Sequence, residues 1–600
     1  MCRIAGIINK NLPIGEIESM VKEMCRLQKH GGPDDEGLYT DDAAGLVLGN
    51  RRLSLLDLSQ NGHMPMQYAN RYHITYNGEL YNFKSLKNEL IQLGHRFQTD
   101  TDTEVILAAY DEWNTLAFRK FMGMYAFALW DSHTKEVLLV RDPFGIKPLY
   151  YASHKHQISF ASEVRAFAPV PTLQAENKHW PVYMMAYGHI PEPITTLEAV
   201  RSLNKGCFFK YHTVSEQCSI QSFSHYSYSS QITQRSFVQE SISDSLHQSV
   251  KSHLLADAPV GVFLSGGLDS SILSVLAAKH RQQISTLSID FNEPSFSERA
   301  FQERVVQKID SQHLSLLLTK ASFQENLPHV FKAMDMPSCD GINTWFIAQF
   351  AANKGFKAVL SGIGADELFG GYPSFNRMHL ARMAQHLPNL LLDIAKYNGN
   401  KRINRLSYLQ LKGIKGLYLF LRGMFTPHEI ARQLGAYEKD VWQSLQMSPV
   451  FMEVDGLNNG NQASWMEYNL YMQNQLLRDA DVMSMQHGVE IRVPFVSNEM
   501  VSTAFSIAPQ LKYNGKQNKQ LLADTFAHDL PAEILQRKKM GFGFPFAEWL
   551  KGSDWIQSII QDANQGTKAC YQRFLNGQLH WAQMMTLLLV EYKHQSLTER

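Results

Sequence analysis

Residues 258–280 read APVGVFLSGGLDSSILSVLAAKH, and three unlike pieces follow one another without a gap. Val260 to Leu264 is a short apolar run, as a strand buried on both faces requires. Ser265 to Ser271, "SGGLDSS", brings two adjacent glycines and three hydroxyls. "ILSVLAAKH" then has the make-up of a helix. In that order, the free N–H groups and positive dipole end of the new helix meet the loop, which suits an anion. Gly266 and Gly267 let the backbone approach it, and Ser265, Ser270 and Ser271 add donors. The lysine of GxxxxGK[ST] is missing, so this is not a Walker loop. Asp269 would repel a phosphate unless Mg2+ bridges carboxylate and phosphate oxygens.

The same grammar recurs nearby. "ISTLSIDF" (284–291) is a second apolar strand, and "GFKAVLSGIGADELFGGY" (355–372) repeats strand then glycine-rich loop, with Asp366 at the strand end. Strands alternating with helices predict an α/β, doubly wound, mostly parallel sheet whose ligands sit at the carboxyl ends of its strands. Beyond about residue 375 the chain reads as helical, most clearly in "SWMEYNLYMQNQLLRDADVMSM" (464–485). Residues 236–600 are therefore expected to form one α/β unit with a helical C-terminal part.

The first 205 residues are built otherwise. "RYHITYNGELYN", "GMYAFALWD", "KEVLLVRD", "PLYYAS" and "QISFAS" are β-rich runs between turn residues, interrupted by two helical stretches at 16–30 and 101–113. In the first of these, Ile17, Met20, Val21, Met24 and Leu27 share one helical face. Antiparallel sheets covered by helices, an α+β unit, are expected for 1–205. Residues 206–235, rich in Ser, Gln, His and Tyr, read as a connector containing a hairpin.

Bulk properties narrow the function. Lys plus Arg and Asp plus Glu number 57 each among 600 residues, so nothing electrostatic favours nucleic acid or an anionic membrane. No apolar run approaches the roughly 20 residues of a membrane span, and no signal peptide is apparent. Six cysteines lie far apart without a CxxC pair, which argues for a reducing, cytoplasmic setting rather than disulfides or zinc. One cysteine is unusual in place: the chain opens "MCRIAGIINK". Removal of Met1 would leave Cys2 with a thiol and an α-amine on one residue, the amine serving as base for the nucleophile beside it.

Together these motifs resemble the glutamine-hydrolysing asparagine synthetases. Besides those quoted, the matches are "HGGPD", "RRLSLLD", "TDTE", "RDPFGIKPLYY", "EIRVPF" and "RKKMGFGFP", all in order along essentially the whole chain. "SGGLDSS" resembles the pyrophosphate loop of N-type ATP pyrophosphatases. The resemblance implies an N-terminal-nucleophile glutaminase domain, two antiparallel sheets between helices, ahead of the synthetase domain. It implies Cys2 as nucleophile, Asn77 and Gly78 as oxyanion hole, and Arg52, Glu79 and Asp102 as holders of the glutamine carboxylate and amine. It also implies ATP contacts from Leu264, Ser265, Gly266, Gly267, Asp269, Ser270, Ile289, Ser361 and Gly362, with Asp269 and Asp366 as magnesium contacts. Lys519 matches a lysine that neutralises departing pyrophosphate, and Lys516 is its nearby rival. The implied substrates are glutamine, ATP and a carboxylic acid such as aspartate, with ammonia passing internally between domains; a homodimer is compatible with this.

Three positions depart from the family pattern. Lys29-His30-Gly31-Gly32-Pro33-Asp34 stands where Arg-His-Arg-Gly-Pro-Asp is usual, and "VPFVS" puts Ser497 where an acid is usual. Ser361-Gly362-Ile363-Gly364 replaces Ser-Gly-Glu-Gly. An isoleucine there offers an apolar wall, which favours an acceptor with less positive charge than aspartate: a sugar acid, a natural-product precursor or a substrate for β-lactam closure. Glu490, in "GVEIRVPF", is the carboxylate expected to compensate. A reading of another class, an inert nucleotide-binding scaffold, conflicts with the intact Cys2, Arg52, Asn77, Asp102, Asp269, Asp366 and Lys519.

Overall fold

The computed structural model describes residues 2–395, 398, 400–449, 456–513, 517–537, 541 and 543–598. Met1 and Lys516, named above, lie outside them. Before residue 223 the strands are β1 (Arg3–Ile8), β2 (Asp35–Asp41), β3 (Leu46–Arg52), β4 (Met66–Tyr68), β5 (Tyr72–Leu80), β6 (Gly123–Asp131), β7 (Glu136–Arg141), β8 (Tyr150–His154), β9 (Gln157–Ala161), β10 (Arg201–Ser202), β11 (Cys207–His212) and β12 (Cys218–Ser222). They form two antiparallel sheets, ordered β10-β8-β9-β1-β3-β2 and β12-β11-β7-β6-β5-β4.

The alternation along β1 explains the layering. Ile4 and Ile8 pack with Ala126, Ala128 and Trp130 between the sheets. Ala5 and Ile7 point the other way, against Ile17, Val21 and Met24 of the helix Ile14–Leu27. On the far side, Ile74, Tyr76 and Leu80 of β5 meet Val105 and Ile106 of the helix Asp102–Trp113. The result is the expected helix, sheet, sheet, helix arrangement. Both faces of β1 are covered, so every one of its residues is buried.

The hairpin anticipated in the connector is β11–β12, but it does not stand apart. β11 pairs with β7 from Phe208↔Val140 to His212↔Glu136. Residues 207–222 thus complete the second sheet, because Phe208 is buried on one side of it and Phe209 and Tyr211 on the other, all within the first unit.

The second unit contains β13 (Val260–Phe263), β14 (Ser285–Phe291), β15 (Gln312–Leu318), β16 (Ala358–Leu360) and β17 (Glu490–Arg492), in the order β15-β14-β13-β16-β17. All four pairings are parallel. From β13 the chain winds first to one side, through β14 and β15, then crosses to β16 on the other. The switch point therefore lies between β13 and β16, where the two glycine-bearing loops emerge side by side.

The long helical stretch at 464–485 is continuous but not uniform. Asn459–Met466 and Arg478–Met485 are α-helical, and Glu467–Leu477 between them is π-helical. Such wide turns are rare and concentrate at functional sites. The largest apolar cluster joins the two units, since Leu53, Leu55, Met124, Phe144 and Ile146 belong to it with Leu264, Val493 and Phe495. Among the described residues no helix is long and apolar enough to cross a membrane.

Candidate active sites

Cys2 precedes β1 and is buried. Its backbone nitrogen, which becomes the α-amine once Met1 is removed, donates to Asn77 Oδ1 at 3.3 Å. That contact turns the Asn77 amide group so that Nδ2, also buried, finds no acceptor among the described residues. A buried donor without a partner is uncommon and calls for an explanation. Gly78 follows on β5, opposite Tyr125 of β6. A Cβ at Gly78 would lie 2.2 Å from the Met124 carbonyl oxygen, so only glycine fits this close strand approach.

Charged groups surround the Cys2 thiol. Burial pushes the Cys2 thiol pKa up, while the Leu53 N–H and the Arg52 guanidinium pull it back. Arg52 is held by the carbonyls of Ser59, Leu56 and Asp57. Burial drives the Glu79 carboxyl well above the usual range, Glu490 adds to this, and Arg492 opposes it from 3.8 Å. Thr101 caps the helix that starts at Asp102. Asp102 Oδ2 accepts from the Leu80 N–H and the Tyr76 hydroxyl, both at 2.9 Å. Burial raises its pKa and these donors counter the rise. The structure thus brings Cys2, Arg52, Asn77, Gly78, Glu79 and Asp102 to one place.

A cavity of ≈ 830 Å³ opens at the carboxyl ends of β13 and β16. Leu264, Ser265, Gly267, Asp269 and Ser270 line one side, with Ile289 of β14 beside them and Ser361, Gly362 and Asp366 opposite. The loop is tied internally: Gly267 N donates to Ser265 Oγ at 3.3 Å, and Ser271 Oγ to the Gly267 carbonyl at 2.7 Å. Gly267 then caps the helix Leu268–His280. A Cβ at Gly362 would come within 2.9 Å of Asp269 Cβ, so glycine lets the two loops touch. Gly266 is the exception among the expected ATP contacts. It lies behind the loop, its carbonyl accepting from Arg537 Nη1 at 2.8 Å.

Lys519 occupies the centre of this site. Its Nζ lies 2.6 Å from Asp269 Oδ2 and 2.6 Å from Asp366 Oδ1. Burial works against its charge, but the two carboxylates outweigh that and hold its pKa above the ordinary lysine value. Its backbone is left-handed, φ 56°, a conformation that costs a non-glycine residue about 1–3 kcal/mol and gathers at functional sites. Two hard oxygen donors converging on one cationic point also suit Mg2+, which commonly takes one or two carboxylates together with substrate phosphates. Among the described residues there is no group of three or more His, Cys, Asp or Glu suited to a metal.

The departures resolve differently. Ile363 lines the cavity, as expected. Ser497 caps the helix Asn498–Ser506 by accepting from Met500 N, a local role that a serine fulfils well. Glu490 does not compensate for Ile363. On β17 it is Ile491 that lines the cavity, so Glu490 and Arg492 point to the opposite face, where Arg492 Nε donates to Glu490 Oε1 at 2.5 Å. The cavity has other acids that the sequence reading did not single out: Asp340, Glu367 and Asp479. Glu367 is engaged by Gly364 N and Tyr372 Oη. Asp340 and Asp479 also line it, with Asp479 accepting from the Ser338 hydroxyl and lying 3.7 Å from Arg478 Nε. Asp479 falls within the helical segment 464–485 already noted, and its place as a buried acid between Arg478 and Asp481 in that segment is the only local sign of it.

Comparison with known proteins agrees with this two-site arrangement. A family described as asparagine synthase matches residues 241–590, and one described as glutamine amidotransferase domain matches residues 1–224. The chain is 30% identical over 586 residues to glutamine-hydrolysing asparagine synthetase 1 of Bacillus subtilis, covering 94% of this chain and 90% of that one. Asparagine synthetase 3 of the same species is 27% identical, with 93% and 90% covered. Asparagine synthetase B of Escherichia coli is also 27% identical, with 94% and 85% covered. The chain belongs to the asparagine synthase family, and it is an ATP-dependent ligase that uses glutamine nitrogen to amidate an activated carboxylate.

Proposed function

We propose that Cys2 Sγ attacks the side-chain amide carbon of glutamine while its proton passes to the α-amine of the same residue. The oxyanion that forms faces Asn77 Nδ2 and the Gly78 N–H. Donors aimed at developing charge in a buried site contribute strongly, roughly 2.7–4 kcal/mol each. Collapse expels ammonia with that proton, and water releases glutamate from the thioester. Arg52 takes the α-carboxylate of glutamine, and Glu79 with Asp102 its ammonium. Ammonia then crosses the uncharged cluster from Leu53 and Met124 to Leu264 and Val493, which keeps it unprotonated and nucleophilic.

In the cavity, the "SGGLDSS" loop holds the ATP phosphates, and Asp269 and Asp366 hold Mg2+, which supplies charge neutralisation when bound. The acceptor carboxylate attacks the α-phosphorus and pyrophosphate leaves, its charge met by Lys519. Ammonia displaces AMP from the acyl-adenylate. The domain division is 1–205 for glutamine hydrolysis, with the hairpin 207–222 completing its sheet, and 236–600 for adenylation. The setting is the cytoplasm, consistent with six free thiols.

The acceptor is aspartate. Ile363 withholds a carboxylate at one wall, but Asp340 and Asp479 on the same lining offer carboxyl groups to an α-ammonium, whose charge favours their ionised forms. The observation that carries the adenylation reading is the single ammonium of Lys519 clasped by two carboxylates beside an anion loop. A second reading, in which the acceptor is a less cationic carboxylic acid, draws on the Ile363 wall. ATP–pyrophosphate exchange across a panel of carboxylic acids decides between them: aspartate should give the fastest exchange, and a faster rate with an uncharged-chain acid would replace it.

A further inference from the structure

Arg3 is an anomaly in an apolar strand. It follows the nucleophile directly, lies between Cys2 and Ile4 in a wholly buried run, and is itself 0% exposed. Its guanidinium crosses out of its own domain. Nε donates to Glu163 Oε1 at 2.8 Å, and Nη1 to Asp481 Oδ2 at 2.7 Å. Asp481 lies on the helix Arg478–Met485 of the synthetase domain, two residues from Asp479 in the cavity wall. Lys147, also buried, reaches the other Asp481 oxygen at 3.4 Å. One short buried path therefore runs from cavity wall to nucleophile: Asp479, Asp481, Arg3, Cys2.

Gly31 makes this path sterically available. A Cβ there would sit 2.7 Å from Arg3 Nε and 2.8 Å from Arg3 Cγ. Any side chain at position 31 would compete for the space that the Arg3 chain fills. Gly31 is also the position where the family pattern carries an arginine, so a guanidinium removed from one segment is matched by one supplied from another. Arg3 bridges two carboxylates with one hydrogen bond to each, and a buried planar guanidinium held at two of its nitrogens has a fixed orientation.

We infer that Arg3 is a positioning residue that couples the two reactions: its bond to Asp481 transmits the state of the synthetase cavity to Cys2. This rests on the assignment of Cys2 and the cavity above. Filling the cavity bears on Asp479 and its helix, and Asp481 has no route to move without moving the residue bonded to the nucleophile. The strut acts on glutamine turnover and leaves adenylation alone.

The test compares the full-length wild type with Arg3→Met, with Arg3→Met/Asp481→Asn, which removes both ends of the bridge, and with the exchange variant Arg3→Gly/Gly31→Arg. Arg3→Met leaves Asp481 with Lys147 and Glu163 with Arg165, and the double variant, whose amide at 481 still accepts from Lys147, breaks the bridge a second way should Arg3→Met fail to fold. Glutamine hydrolysis is measured alone and with ATP plus acceptor, beside pyrophosphate exchange and ammonia-dependent synthesis. In wild type, cavity substrates should raise glutamine kcat several-fold. In the bridge variants that enhancement should vanish and kcat fall about ten-fold with KM within two-fold, while exchange stays within two-fold of wild type. The exchange variant should recover the enhancement. An enhancement undiminished in the folded double variant, or none in wild type, overturns the inference. Full hydrolysis in Cys2→Ala would instead overturn the assignment on which it rests.

Discussion

The two sites hold their charges in opposite ways. Around Cys2 the groups are rigid parts of strands and a capped helix, and one buried donor, Asn77 Nδ2, has no acceptor among the described residues. In the cavity the charges satisfy one another, with Lys519 clasped between Asp269 and Asp366. On the roles proposed above, the first site is preorganised for charge that appears only in the transition state. The second keeps an internal counter-ion that phosphates must draw away. Preorganisation suits hydrolysis of a small amide; a self-neutralised site suits a substrate that brings its own large negative charge.

The contrast is most directly broken by removing the nucleophile. Cys2→Ala should reduce glutamine-dependent synthesis to background, while ammonia-dependent synthesis and pyrophosphate exchange persist in paired assays. Asp269→Asn and Asp366→Asn should do the reverse, each bringing exchange near background at ordinary magnesium while glutamine hydrolysis stays intact; normal exchange in either would remove it from the metal and phosphate site. Asn77→Ala should lower glutaminase kcat by about 10²–10³ with little change in KM, as loss of an oxyanion donor does. A drop confined to KM would make it a binding residue instead.

Two smaller effects sharpen the acceptor end. Burial pushes the Asp479 carboxyl up to about 7, against the opposing pull of Arg478. Being raised, it is neutral below that value and charged above it, so the KM for aspartate should fall as pH rises from 6 to 8, by up to about ten-fold per unit on the acid side. Asp479→Asn should flatten the profile; an unchanged slope would place the titration elsewhere. Ile363→Glu should improve kcat/KM for aspartate a few-fold if the apolar wall limits its use.

Legibility tracked locality. The β-rich runs of the first unit, the helical stretch at 101–113 and the strand-loop-helix unit at 258–280 are decided by neighbours in sequence, and the structure follows them closely. What escaped depends on distant partners. The reach of Arg3 to Asp481 spans 478 positions, and the burial of β11 needs β7 beside it. Glu490 shows the cost of counting acids without facing: a three-residue strand gave no pattern from which to tell that Ile491, and not Glu490, meets the cavity. Arg3 is the lone charge in "MCRIAGII", and a charge buried in an apolar strand needs a partner that local sequence does not name.

The shared apolar cluster has a consequence for how the protein is handled. Leu53, Leu55, Met124, Phe144 and Ile146 lie within the same packed interior as the synthetase strands. Cutting the chain between residues 223 and 235 would not release two independent proteins. Each fragment would carry a freshly bared oily face made for the other, and the pair would stay together or precipitate apart. Heating should accordingly give one melting transition, and splitting the enzyme for separate expression should succeed only when both pieces are made together.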